Sequence, residues 1–147
     1  MAGKSDAYEY NFLQMTFAGK SITNICATAG TTLIWAGLHT ADPGDAGSTA
    51  NEGGYAAYAR VSVDRSTGGW VVTSGTSNAV ATCSPVATIS FPQVATTSTG
   101  TFNFMSVFPS SNSLGSEALY SGTVTPNINF SQNVTPQVTT GSSVTED

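Results

Sequence analysis

His39 is the single histidine of the chain. A neutral imidazole serves as a general base near pH 7, and with an aspartate to orient it and a serine to activate it forms a hydrolytic triad. The nearest carboxylate in sequence is Asp42, across a turn, and 19 serines offer nucleophiles without selecting one. No G-x-S-x-G elbow is present, so nothing in the sequence anchors hydrolysis.

Residues 42–52 (DPGDAGSTANE) gather Asp42, Asp45 and Glu52 with Asn51. Oxygen ligands in a glycine-rich loop suit a hard cation, but the spacing lacks the alternation of an EF-hand, and a solvated turn is the preferred reading. These acids, with Asp64 and Glu117, are also the only material for a glycosidase pair, which needs two carboxylates facing each other in a cleft. Trp35 and Trp70 raise stacking on sugars. Trp35 lies within an apolar run and is expected in the core, whereas Trp70 follows Gly68-Gly69 and is the candidate for exposure. Cys26 and Cys83 make neither a metal knuckle nor a C-x-x-C pair. Two small buried thiols are preferred over one bridge. No catalytic, cofactor-binding or metal-ligating residue is assigned, no cofactor is expected, and the protein is expected not to be an enzyme.

The elements that position these residues are mostly strands. Only the first segment reads as a helix: Ser5 or Asp6 can cap it, Asp6 and Glu9 suit its dipole, Gly19 can end it, and Tyr8, Phe12 and Met15 form one apolar stripe with Leu13 beside them. That stripe packs on its own domain or forms an arm that docks on a neighbouring subunit. Residues 31–40 (TTLIWAGLHT) are apolar on both faces, as in a central strand. Residues 57–64 alternate, with Ala57, Ala59, Val61 and Val63 inward and Tyr58, Arg60, Ser62 and Asp64 wet. Further strands are expected at 70–73, 76–82, 87–91, 101–108, 117–125 and 127–130. Turn chemistry at Pro43-Gly44, Gly53-Gly54, Gly68-Gly69, Ser74-Gly75, residues 98–100, residues 109–115 and Pro126-Asn127 separates them. In residues 101–108 the Phe102, Phe104 and Phe108 side chains are expected on one core face. About eight strands and one helix predict an all-β fold, an antiparallel β-sandwich of jelly-roll type with one short N-terminal helix. Residues 1–20 are read as a helical arm and 21–147 as one sandwich domain, its end after Pro126 a last edge strand or an extended tail.

Composition narrows the function. Charged residues make up 9% of the 147, against about a quarter in ordinary proteins, while 22 Thr and 19 Ser keep the surface wet. Apolar residues at 39% and aromatics at 10% exclude a disordered chain. Net charge is −5, and Lys4, Lys20, Arg60 and Arg65 are scattered, so no stripe exists to neutralise phosphates; neither nucleic acid nor a charged membrane surface is an expected partner. Residues 21–41 lack charge but are too rich in Ser, Thr, Asn and Gly for a membrane span. The N-terminus runs into Tyr8, Glu9 and Tyr10 rather than an apolar stretch, so no secretory signal is expected. The sequons at Asn129 and Asn133 then reflect only the abundance of Asn and hydroxyls.

Several segments taken in order carry a resemblance. Lys4-Ser5-Asp6 with Glu9 precedes the helix. The strand at 33–40 leads into Ala41-Asp42-Pro43-Gly44-Asp45-Ala46-Gly47. Glu52-Gly53-Gly54-Tyr55-Ala56, Arg60-Val61, Ile89-Ser90-Phe91-Pro92, the strand at 102–108, Ala118-Leu119-Tyr120-Ser121-Gly122 and Val144-Thr145-Glu146 follow. Over nearly the whole chain this resembles a family of small tailed-phage virion proteins, described variously as capsid cement or decoration proteins and as tail-fibre proteins. The resemblance implies a jelly-roll-like sandwich and a structural role: a cement protein on the outer capsid surface that bridges major capsid subunits, with the major capsid protein and a second copy of itself as partners. The alternative is a tail-fibre or tail-tip adaptor that binds a receptor or carbohydrate.

Overall fold

The computed structural model describes residues 3–18, 33–73, 81–111 and 117–146. In chain order its elements are β1 (Gly3–Lys4), α1 (Asp6–Ala18), β2 (Leu33–His39), β3 (Val61–Asp64), β4 (Trp70–Thr73), β5 (Ala81–Pro85), β6 (Ile89–Ser90), β7 (Gly100–Phe108), β8 (Tyr120–Phe130), β9 (Gln137–Val138) and β10 (Val144–Glu146). They form antiparallel sheets ordered β1-β8-β7-β2-β3, β10-β5-β4 and β6-β9. The core draws Ala36, Leu38, Phe102 and Phe130 from the first sheet, Trp70 from the second, and Ile89 and Val138 from the third. The fold is an all-β sandwich with one short helix.

An apolar strand needs partners on both edges and cover on both faces. β2 pairs with β7 from Trp35↔Phe108 to His39↔Phe104, and with β3 from Leu33↔Asp64 to Ala36↔Val61. Beyond Ala36 the β3 side is continued by the chain at 51–58: Leu38 N–H donates to the Tyr58 hydroxyl at 2.7 Å, Gly53 N–H to Leu38 O at 2.9 Å, and Thr40 N–H to Asn51 O at 3.0 Å. Ala36 and Leu38 face the core. Trp35, Gly37 and His39 alternate onto the opposite face.

Two differences from the sequence reading have one cause. Residues 117–125 and 127–130, expected as two strands, are replaced by one strand, β8, which begins only at Tyr120 and whose register against β7 jumps from Phe102↔Ile128 to Phe104↔Thr123. Pro126 has no N–H to give the ladder, so the chain around it bulges opposite Asn103. Side chains change face there. Phe102 enters the core against Phe130, ring centroids 4.6 Å apart, whereas Phe108 is buried on the other face beside His39 and Arg60. The three phenylalanines therefore do not share one face.

The tryptophans also exchange their expected places. Trp70 is buried in the core, and Trp35 is half-buried on the opposite face. The Gly68-Gly69 turn that suggested exposure folds back instead, with Gly69 and Trp70 N–H groups donating to Ser66 O. The strand expected from residue 57 starts at Val61, because Tyr55 and Tyr58 form a turn that carries both rings inward. Residues 137–138 and 144–146 pair with β6 and β5. Gly19 as helix stop, Lys20, Cys26, the Ser74-Gly75 turn, residues 76–80 and residues 112–115 lie outside the described residues.

α1 starts where Ser5, itself buried, accepts the Tyr8 N–H on Oγ at 3.3 Å and the Glu9 N–H on its carbonyl at 2.9 Å. Asp6 and Glu9 lie in the positive first turn. None of its residues is buried.

Candidate functional site

The greatest concentration of chemistry lies on the sheet face opposite the core. Arg60 and Glu52 form a two-pronged ion pair, Nε to Oε1 and Nη2 to Oε2 both at 2.7 Å, with side chains only 2% and 4% exposed. Arg60 Nη1 also donates to Ser110 O at 3.0 Å, and its guanidinium carbon lies 3.3 Å from the Phe108 ring centroid. The Tyr58 hydroxyl donates to Glu52 Oε1 at 3.3 Å. Burial pushes that phenol well above its usual range, and Glu52 beside it acts in the same direction. Two opposite charges out of water hold only if their hydrogen-bonding capacity is met, as it is here. Gly37 makes room for them: a Cβ there would lie 2.7 Å from Phe108 Cε2 and 2.9 Å from Glu52 Oε1.

His39 is fully buried beside this pair, and neither ring nitrogen has a hydrogen-bond partner. Burial lowers its pKa from 6.5 to about 4, outweighing the upward pull of Glu52 and Asp42, while Arg60 pushes it further down. Ser106 shares this face, opposite Gly37 in the ladder, and its buried Oγ also has no partner. The imidazole and this hydroxyl are therefore not hydrogen-bonded as base and nucleophile.

The loop acids diverge. Asp42 stays at the surface, and the Gly44 N–H donating to its Oδ1 at 2.9 Å holds the carboxyl below its usual range. Asp45 accepts the Asp6 N–H on its carbonyl at 3.0 Å, and Glu52 turns inward to Arg60. Among the described residues no three His, Cys, Asp or Glu side chains come together as a metal site. The loop instead packs on the protein: Pro43 and Gly47 are buried, and a Cβ on Gly47, at φ 62°, would lie 2.9 Å from Ala118 N. Asp64 accepts the Ser66 hydroxyl at 2.7 Å, away from the other acids' partners. Cys83 is a half-buried free thiol whose pKa burial raises.

Sequence reasoning missed the Arg60–Glu52 pair because strict alternation assigned Arg60 to the wet face. Its available signal was scarcity: one of only four basic residues lies eight positions from an acid, with Tyr58 between.

Outward, the largest apolar exposure among the described residues is on α1, where Tyr10, Phe12, Leu13 and Phe17 are 61%, 45%, 55% and 84% exposed. The helix is tied down at its start by β1 on β8, by Ser5 N–H to Leu119 O at 3.2 Å, by Asp6 on Asp45, and by Tyr8 edge-on to Tyr120. Val71 and Val72 of β4 are also exposed.

The fold and these surfaces define a small β-sandwich module whose buried polar groups pack its interior and whose aromatic helix faces outward. Residues 3–145 match the family described as Podophage GP4 fiber I protein gp80, and the chain belongs to that family. It is thus a phage structural protein of the fibre type, a component of the virion. No match to a curated protein was found. The expected resemblance to virion proteins holds at this level, while the family description names a fibre and not a capsid cement.

Proposed function

We propose that the protein is a non-catalytic part of a fibre assembly on a tailed-phage virion, and that α1 is the arm by which it docks on a neighbouring virion protein. The observation that carries the reading is the family match across residues 3–145. The exposed rings of α1 support it. Aromatic side chains bury a large area at low entropic cost, and a helix held at one end presents them in a fixed direction. Scarce charge helps, since few ions need desolvation when such a surface is covered. The His39 ring and the Ser106 hydroxyl on the buried face are not hydrogen-bonded to each other, unlike the pair a serine hydrolase would need.

The cement reading retains one supporting observation: a compact sandwich without shaft repeats is suited to bridging subunits by several modest contacts. Quantifying copies per virion and locating a tag on the C-terminal side by electron microscopy separates the two. A small number of copies at fibre positions is expected; copies spread over the whole shell would overturn the fibre assignment in favour of cement.

A further inference from the structure

We infer that α1 lies lengthwise in an apolar groove of a different virion protein, with Tyr10, Leu13 and Phe17 seated in the groove and Asp6, Glu9, Asp42 and Asp45 against Lys or Arg side chains at one end of it. The inference deepens the docking role proposed above for α1 and rests on it. Helix geometry carries the first half. At about 100° per residue, Tyr10, Leu13 and Phe17 fall within an arc of about 60°, and the stripe runs about 10 Å along the axis. All three side chains are exposed, whereas Tyr8 and Met15, on the opposite side of the helix, are half-buried. Anchors at i, i+3 and i+7 have the spacing by which a helix fills an apolar groove. Gln14 Nε2 donates to the Tyr10 hydroxyl at 2.6 Å, which limits the freedom of that ring before contact.

Charge selects the occupant. Asp6 lies on the line of the stripe and Glu9 about 40° to one side of it. The helix dipole accounts for acids in a first turn. It does not account for the exposed Asp42 and Asp45 of the adjoining loop, which meets the helix where the Asp6 N–H bonds Asp45 O at 3.0 Å. Four of the nine acids of the chain thus lie at one end of the stripe, and α1 itself contains no basic residue. Cationic side chains at the matching end of a groove steer the approach and fix the direction in which the helix lies. The acids remain at the wet rim of such a contact, while the uncharged stripe fills its centre. A second copy of this chain does not meet that description: it carries −5, has four basic residues in all, and buries one of them, Arg60, on Glu52.

The test uses purified virions assembled with the full chain, either the wild type or one of two variants. Leu13→Gln with Phe17→Gln removes two anchors and keeps good helix formers; Glu9→Gln with Asp42→Asn and Asp45→Asn removes three charges, two of them outside the helix. Copies per particle are quantified by blotting, and release from the particles is followed as salt is raised. A photocrosslinking phenylalanine analogue at Phe17 reports the surface touched, read by mass spectrometry. The wild type is expected to be released as salt rises, and each variant to reduce the copies per particle by about tenfold or more, with the urea midpoint of the isolated chain unchanged. The crosslink is expected on an apolar segment of another virion protein flanked by Lys or Arg. Should one variant fail to fold, the other and the crosslink still decide. A charge variant that is incorporated and retained as the wild type is, beside an anchor variant that is lost, would overturn the cationic groove and leave the docking role standing. An anchor variant incorporated as the wild type is would overturn both, and a crosslink to this chain itself would overturn the choice of partner.

Discussion

Acid should destabilise this protein through His39, and the size of the effect follows from its surroundings. The imidazole is fully buried, lacks a hydrogen-bond partner, and has its pKa lowered from 6.5 to about 4. In the unfolded chain it takes up a proton as pH falls through 6.5, while in the folded chain it stays neutral until about pH 4. The unfolded state therefore binds more protons in that window, so stability is at its full value above pH 6.5, declines as pH falls toward 4, and levels off below. At about 1.36 kcal/mol per pH unit, the loss amounts to about 3 kcal/mol. His39→Leu removes this contribution, since leucine takes up no proton in either the folded or the unfolded chain. No hydrogen bond is lost, so at pH 7.5 the variant should lie within about 1.5 kcal/mol of the parent. Urea unfolding followed by tryptophan fluorescence at several pH values between 4 and 7.5 gives both curves. The difference between them should change by about 3 kcal/mol across the window. Parallel curves would refute the reasoning and mean that the folded protein admits the proton at His39 without penalty.

The buried ion pair gives a second expectation: Arg60→Leu alone should cost about 3–5 kcal/mol, because Glu52 is left charged and unpaired, and adding Glu52→Leu should recover much of it. Equilibrium denaturation of the two singles and the double measures this. Gly37→Ala should cost about 1–3 kcal/mol, since its methyl group would enter the space of Phe108 and Glu52; a shift in the urea midpoint reads it. Tyr10→Ser with Phe17→Ser should leave stability within about 0.5 kcal/mol, as both rings are exposed, yet reduce incorporation into virions, which quantitative blotting of purified particles follows.

What the sequence disclosed depended on how local its cause was. β2 was legible because a run apolar on both faces has few alternatives to a central strand, and the start of α1 because Ser5 and the acids beside it act within one turn. The split of the phenylalanine row was not legible. It depends on Pro126 lying opposite Asn103, a long-range coincidence that alternation along one strand does not contain. Trp70 was misplaced for a similar reason: two glycines announce a turn but not its direction, and the bonds to Ser66 O decide that. At the candidate site, His39 was recognised as the residue to examine, but that its ring nitrogens and the Ser106 hydroxyl lie buried without partners was not legible, because it depends on the pairing of β2 with β7. Nothing in the spacing of Asp42, Asp45 and Glu52 distinguishes a loop that gathers its acids from one that keeps Asp42 at the surface and turns Glu52 inward to Arg60.

That loop connects the interior to the outward-facing helix. Glu52 ends the loop and is clamped by Arg60, which also holds Ser110 beyond β7 and lies over Phe108. One side chain thus ties the loop, the approach to β3 and the end of β7 together. α1 is fixed to the same structure, through Asp45 of the loop and through Leu119 and Tyr120 at the start of β8. Because α1 buries none of its own residues, its direction depends on those anchors more than on packing along its length. A protein that docks through an exposed helix needs that helix presented at one angle, since searching for the angle after contact would reduce affinity. The buried pair and the exposed helix are thus joined through one loop: Arg60 holds Glu52 at its end, and Asp45 within it accepts the Asp6 N–H, one of the contacts that, with β1 on β8, Ser5 on Leu119 and Tyr8 on Tyr120, fix the start of the arm.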